Sequence, residues 1–296
     1  MAGTQVFGRV VALVTAGAAV AAASAALAAT ADPSQMALRP ADLPGAKVAG
    51  RAPKARTGYV SSYERSFDLG QPYGRSHIVY VSSGVEVAGA VAKAKLDLAA
   101  VRTVMRSSKG REQFAAEVVK SAGKGFKRKD LTVGKPLTPQ LGDEAVELPL
   151  TLKYKGIRVY TALTWFRVDR VLSLLYVVGA RAVVQADIAK LTSLVVAHVG
   201  EQFVPVADAP PTISGTAQQG QTLTATSGTW SNSPSLGFQW QHCDAAGASC
   251  IDVPGATTAT YVVASTDAGA TLRVVENGTN RFGTASMQSV QTAVVT

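Results

Sequence analysis

The sequence predicts an α+β domain, an antiparallel sheet with covering helices, followed by a smaller all-β sandwich. Between Glu144 and Tyr154 every second residue is apolar, and tight turns at Lys155-Gly156 and Asp169-Arg170 separate the next two apolar runs. Strands joined by such short turns pair as an antiparallel meander. After Pro205 the pattern changes to short runs of Thr, Val and Ser between Gly, Asn and Asp, which is typical of an all-β domain.

The first thirty residues have the layout of a secretory signal peptide. One charge, Arg9, precedes a long Ala/Val run, and small residues at Ala26-Leu27-Ala28 and Ala29-Thr30-Ala31 fit the cleavage rule. The alternative is an uncleaved anchor, because the run approaches the roughly 20 residues that span a bilayer. Alanine contributes little to membrane insertion. We therefore expect a secreted, extracellular protein, free or associated with the cell envelope, with no transmembrane segment after cleavage.

The charge of the chain is divided unevenly. The 296 residues have a formal net charge of +9, whereas residues 205–296 contain two Arg, no Lys and five acidic residues. The positive charge therefore lies in the first half, which favours anionic partners. Outside the cell these are envelope polymers and lipid head groups, with another surface protein as an alternative and nucleic acid disfavoured.

The periodicity divides the chain into five segments. Residues 59–83 predict two strands, and apolar residues at Val87, Val91, Ala94, Leu98, Val101 and Met105 predict an amphipathic helix. A second helix is expected over residues 111–120, and a closing helix over residues 186–199 would cover one face of the sheet. The predicted segments are a signal peptide (1–31), an N-terminal arm (32–58), an α+β domain (59–203), a linker (204–211) and a β-sandwich (212–296).

Three short features of the first half suggest a resemblance. They are ADLPG at residues 41–45, LGDEA at residues 141–145 just before the meander, and the terminal amphipathic helix. In this order they resemble small exported α+β domains of actinobacteria, related in outline to the PsbP/Mog1-like sandwich. The resemblance implies a fold and an envelope setting, and it assigns no catalytic residue.

The second half resembles the immunoglobulin-like (Ig-like) modules appended to many actinobacterial exported proteins. The resemblance covers nearly all of residues 210–295 and includes the runs PTISGTAQQGQTLTATSGTW, FQWQHCDAAGASCIDVPGATTATYVV and DAGATLRVVENGTNRFGTAS. It implies that Trp240 is the core tryptophan, that Asp267 and Gly269 shape a corner, and that Asn280 and Gly283 form the last hairpin turn. No cysteine pair brackets Trp240 and no Tyr follows Asp-x-Gly, so an antibody-type inter-sheet disulfide and tyrosine corner are not expected. The module would serve for spacing or adhesion.

Cys243 and Cys250 flank Asp-Ala-Ala-Gly-Ala-Ser, which has the composition of a turn. In an exported chain this spacing favours a disulfide that closes a hairpin. The alternative is a metal or redox site, but the spacing is not Cys-x-x-Cys, and the neighbouring His242 should point to the opposite face of the strand from Cys243. We expect no metal and no cofactor.

No nucleophile elbow, phosphate-binding loop or dinucleotide fingerprint is present in the sequence. His77 and His198 lack partners at metal-binding spacing, and Asp143-Glu144, which could supply paired carboxylates, is equally consistent with a turn. The remaining feature is a basic cluster, Lys124, Lys127, Arg128 and Lys129, which is either a patch for an anionic ligand or a solvated loop. The sequence thus predicts a non-enzymatic protein that binds or senses at the envelope, with a cell-wall polymer hydrolase of unrecognised catalytic domain as the alternative.

Overall fold

The computed structural model describes residues 32–122, 127–154, 157–232 and 234–296. The predicted signal peptide lies outside the described residues. The chain divides into two compact units, and the division falls between Gln202 and Phe203. None of the described helices is long and apolar enough to cross a bilayer.

The first unit contains one antiparallel sheet, whose seven described strands are β1 Lys47–Arg51, β2 Tyr59–Tyr73, β3 Ile78–Ala88, β4 Leu131–Val133, β5 Glu144–Tyr154, β6 Ile157–Val168 and β7 Val171–Gly179. The predicted meander is present as three consecutive strands, β5 to β7, which lie side by side between β3 and β4 in the sheet. Across the sheet the strand order is β1-β2-β3-β7-β6-β5-β4, and every neighbouring pair is antiparallel.

Among the described residues, four α-helices accompany the sheet: α1 Pro33–Met36, α2 Val91–Arg106, α3 Ser108–Ala122 and α4 Gln185–Glu201. The predicted first helix began at Val87, but Val87 belongs to β3, where it pairs with Val171. Helices α2 and α3 cover one face of the sheet, and their core is formed mainly by Leu98, Met105, Phe114, Leu148, Trp165 and Leu174.

The other face of the sheet is covered by the N-terminal segment and α4. The backbone amide of Leu38 donates to Ser83 Oγ of β3 at 3.1 Å, and Ala37 O lies 3.2 Å from His198 Nδ1 of α4. Asp42, from the ADLPG motif, lies with its Oδ1 3.6 Å from His198 Nε2. Strand β7 is consequently buried on both sides. The motif therefore helps to hold the N-terminal segment on the fold.

The second unit is a β-sandwich. Its strands are β8 Val206–Ala209, β9 Thr212–Ser214, β10 Thr222–Thr226, β11 Thr229–Ser231, β12 Ser235–Cys243, β13 Ile251–Asp252, β14 Thr260–Val262, β15 Thr271–Asn280 and β16 Gly283–Gln288. They form the sheets β14-β10-β9, β13-β12-β15-β16 and β11-β8. Residues 204–211, which the sequence indicates as a linker, include β8, because the backbone of Val206–Ala209 pairs with β11.

Trp240 is the largest fully buried side chain of this unit, as the resemblance implies. Its indole Nε1 donates to Thr258 O at 2.9 Å, and its ring stacks on Tyr261 at a centroid distance of 5.5 Å. Asp267 is buried and accepts from the Tyr261 hydroxyl at 2.8 Å. Burial and this bond to the carboxylate raise the pKa of Tyr261 to about 12. No tyrosine follows Asp267-x-Gly269, but Tyr261 of β14, which precedes this corner in the chain, donates its hydroxyl to Asp267.

The predicted disulfide joins Cys243 to Cys250. Between them Asp244 Oδ1 accepts from the backbone amides of Ala246 at 3.0 Å and Ala248 at 2.8 Å. The bridge therefore closes a short turn that is also ordered by hydrogen bonds.

We expect the double substitution Cys243→Ala/Cys250→Ala to lower the unfolding free energy of the second unit by about 2.5 kcal/mol, the loop-closure entropy for a ring of this size. Calorimetry of the full chain would show one of two transitions moving to lower temperature. The matched control is Ser249→Ala, which changes the same turn without opening the ring. An unchanged thermogram would mean that hydrogen bonds alone hold the turn.

Candidate functional site

A cavity of about 480 Å³ lies in the first unit between α2 and the sheet. This volume is in the range typical of small-molecule sites. One side of the cavity is apolar and the other carries charged side chains from β1, the segment after it, β2, β3 and α2. Sequence reasoning identified none of these residues as a site.

The cavity exists partly because β3 has a glycine where its neighbours have side chains. Gly84 pairs with Glu64 of β2 and with Leu174 of β7, and all three residues line the cavity. A Cβ atom added to Gly84 would lie 3.7 Å from Leu174 O and 4.0 Å from Leu174 Cβ, which are ordinary contacts. The position could therefore hold a larger residue, and glycine leaves that space open.

The apolar side is formed by residues from the helix and from the sheet below it. Trp165 is 3% exposed, and around it lie Val101, Val104, Met105, Leu172 and Leu174. Helix α2 presents Val101, Val104 and Met105 on one face because the second and third follow the first at spacings of three and four. Such a surface binds hydrocarbon by removing it from water.

Glu64 contributes a paired carboxylate to the charged side. Arg51 donates from Nε at 2.9 Å and from Nη2 at 2.5 Å to Glu64 Oε2, and Ser82 Oγ donates to Oε1 at 3.0 Å. Glu64 is 9% exposed, whereas about half of the Arg51 side chain is exposed. The arginine therefore neutralises a buried acid while it remains open to solvent.

A second charged group surrounds Arg56. Its guanidinium donates to both Glu86 carboxylate oxygens at 2.6–3.1 Å and lies 3.5 Å from Asp97 Oδ2. Asp97 also accepts from Lys93 Nζ at 2.6 Å and from the Tyr59 hydroxyl at 2.7 Å. Burial and the bond to this carboxylate raise the pKa of Tyr59 well above its usual range. The tyrosine is therefore a fixed neutral donor.

Lys54 differs from the other charged residues of the cavity lining. It is exposed, and no carboxylate pairs with it among the described residues. Each of the three lining carboxylates, by contrast, is held by a cation: Glu64 by Arg51, Glu86 by Arg56, and Asp97 by Lys93. Lys93 does not itself line the cavity, but when it is counted with Asp97, four cations accompany three carboxylates, and Lys54 is the cation left without an ion pair in the described part of the chain.

The predicted basic patch is only partly described by the structure. Lys124 lies outside the described residues, and Lys127 and Lys129 are exposed. Arg128 donates to both carboxylate oxygens of Glu112 at 2.6 and 2.9 Å, and to Leu131 O. One of the four cations is thus paired within the fold, and an anionic ligand for the patch remains a prediction.

The other side chains singled out in the sequence make structural contacts. Asp143 and Glu144 both accept from Arg167 of β6, at 2.7 and 3.3 Å. His77 lies in the turn before β3, with φ 47°, and not inside a strand. His242 Nδ1 lies 3.3 Å from Asp267 Oδ1. No group of metal-ligating side chains is found in the described parts of the chain.

Comparison with known proteins yields little. No family model and no curated protein matches the chain. Among solved structures, domains A168–A170 of titin are similar over 79% of this chain and 75% of that chain, with 9% sequence identity and a TM-score of 0.23. A score this low carries no argument, so the actinobacterial and PsbP/Mog1-like resemblances remain predictions.

Proposed function

We propose that the chain is an exported, non-enzymatic binding protein that holds a small ligand at the cell envelope in the cavity under α2, with the Ig-like unit as a spacer or adhesion module. The observation that carries the proposal is the cavity itself. Apart from Lys54, its charged groups are held in ion pairs before any ligand arrives, and preorganised sites bind without a large ordering cost.

Two further features support this function. The signal-like N-terminus and the disulfide fit an extracellular protein. The exposed Lys127 and Lys129 leave the unit positively charged on another surface, where it would be attracted to anionic envelope polymers or lipid head groups.

The experiment uses the mature full-length chain. It is incubated with a detergent-free extract of bacterial envelope, separated by gel filtration and examined by native mass spectrometry. We expect a bound species near one molecule per chain. An extract that leaves the protein mass unchanged would overturn the proposal, and steady cleavage of wall polymer by the chain would replace it with the hydrolase alternative.

A further inference from the structure

We infer that the cavity ligand is a single-chain amphiphile with an anionic head, whose aliphatic chain lies over Gly84 and whose head lies near Lys54. This inference rests on the proposed function and names its ligand class. It combines the division of the cavity into two sides, the missing side chain at Gly84, and the unpaired charge at Lys54.

The aliphatic part follows from the floor and the helix side of the cavity. Leu172, Leu174 and Trp165 face Val101 and Met105, and these side chains offer a ligand no polar atom except the indole nitrogen. Burying hydrocarbon there contributes about 0.8 kcal/mol per methylene, equivalent to about fourfold in affinity. Affinity should therefore rise with chain length until the cavity is filled.

The anionic head follows from the charge balance. A cationic head would meet Arg51, Lys54 and Arg56 at the charged side, while Glu64, Glu86 and Asp97 are already bound to cations. A carboxylate or phosphate would instead pair with Lys54 without breaking any of these bonds. Since Lys54 is exposed, this pair should contribute modestly, up to about fivefold in affinity.

Gly84 provides a test in which loss of binding does not imply loss of folding. Its backbone is not in the left-handed region, and a Cβ there makes only ordinary contacts. Gly84→Leu should fill the floor of the cavity with the fold retained, because glycine in a strand interior weakens the strand and its replacement there does not remove a stabilising side chain. Gly70→Leu is the matched control, since Gly70 lies in β2 with open space around its Cβ position and does not line the cavity.

The probes are octanoate, decanoate and dodecanoate, with decanol as the uncharged comparison and decyltrimethylammonium as the cationic one. Binding is followed by tryptophan fluorescence, because Trp165 lines the cavity, and by titration calorimetry. We expect affinity to increase by about 16-fold for each two methylenes added until the cavity is filled, and decanoate to bind more tightly than decanol or the cation. Gly84→Leu should weaken decanoate binding at least tenfold, Gly70→Leu should leave it unchanged, and Lys54→Ala should reduce the preference for decanoate over decanol.

Three results would overturn the inference. The first is that folded Gly84→Leu binds decanoate as tightly as the wild-type chain does. The second is that decanoate and decyltrimethylammonium bind equally well. The third is that the chain binds no fatty acid but does retain another molecule from the envelope extract. The last result would reject the amphiphile while the proposed binding function stands. If the extract also yielded no ligand, the proposed function would fail together with the inference.

Discussion

Replacing Arg167 by alanine should lower the unfolding free energy of the first unit by about 3 kcal/mol. The Arg167 side chain is 6% exposed and donates to Asp143 Oδ2 and Asp169 O, both at 2.7 Å, and to Glu144 Oε1 at 3.3 Å. Removing one partner of a buried ion pair costs about 3–5 kcal/mol because the other charge is left without compensation. The lower end applies here, because both carboxylates are partly exposed.

The measurement is calorimetry of the full chain, in which the transition insensitive to the cysteine substitutions belongs to the first unit. Arg102→Ala is the matched control: Arg102 also pairs with Glu144, at 3.2 Å, but from a partly exposed position. Its removal should cost no more than about 1 kcal/mol. Equal effects of the two substitutions would show that the burial of Arg167 does not determine its contribution.

The sequence predicts the large elements of both units but not the cavity. Alternation in β5 and β6 and the turn at Asp169, which has φ 54°, define the meander because side-chain periodicity and turn chemistry are local. The Cys243–Cys250 bridge is likewise local. By contrast, the cavity brings together Arg56, Glu86 and Asp97, whose pairing depends on how α2 docks on the sheet.

One signal of the cavity was nevertheless present in the sequence. Gly84 and Glu86 interrupt β3 on the face that the strand directs towards α2, where a half-buried strand normally has apolar residues. A glycine two residues before a glutamate on the face of a strand that packs against a helix indicates an open, polar space between strand and helix, as Gly84 and Glu86 do here. The basic cluster of residues 124–129 is more conspicuous in sequence, yet its Arg128 is engaged by Glu112.

Asp187→Ala should cost the first unit about 3 kcal/mol at neutral pH. Asp187 Oδ2 accepts from the backbone amide of Ser76 at 2.7 Å and from its hydroxyl at 2.6 Å, and Ser76 Oγ accepts from Val184 N at the start of α4 at 2.8 Å. Hydrogen bonds to charged groups contribute about 1.5–3 kcal/mol each. Ser76 is fully buried, so its amide and hydroxyl, which lose their acceptor in Asp187→Ala, could not donate to water instead.

The pH dependence distinguishes this contribution from simple packing. Burial raises the pKa of Asp187, but the hydrogen bonds to its carboxylate, mainly those from Ser76, lower the pKa by more. The net pKa therefore lies below the usual value for an aspartate. The folded state then binds fewer protons than the unfolded state, so the carboxylate's contribution is complete above about pH 4 and declines as the pH falls through the folded pKa. The difference in unfolding free energy between the wild-type chain and Asp187→Ala should therefore be constant from neutral to mildly acidic pH and shrink below it.

Glu147, in the same unit, should change the unfolding free energy with pH in the opposite direction to Asp187, because its pKa is raised and not lowered. It is 1% exposed, and burial raises its pKa although Gln185 Nε2 and Thr164 Oγ1 donate to it at 2.5 and 3.4 Å. Its ionisation therefore opposes folding, and the cost grows as the pH rises above about 4. Glu147→Gln should be at least as stable as the wild-type chain at neutral pH and lose that advantage in acid, whereas parallel curves for Asp187→Ala and Glu147→Gln would contradict both assignments. Because the two carboxylates contact the same end of α4, opposite slopes would show that hydrogen-bond donors, and not burial alone, set the charge of this helix terminus.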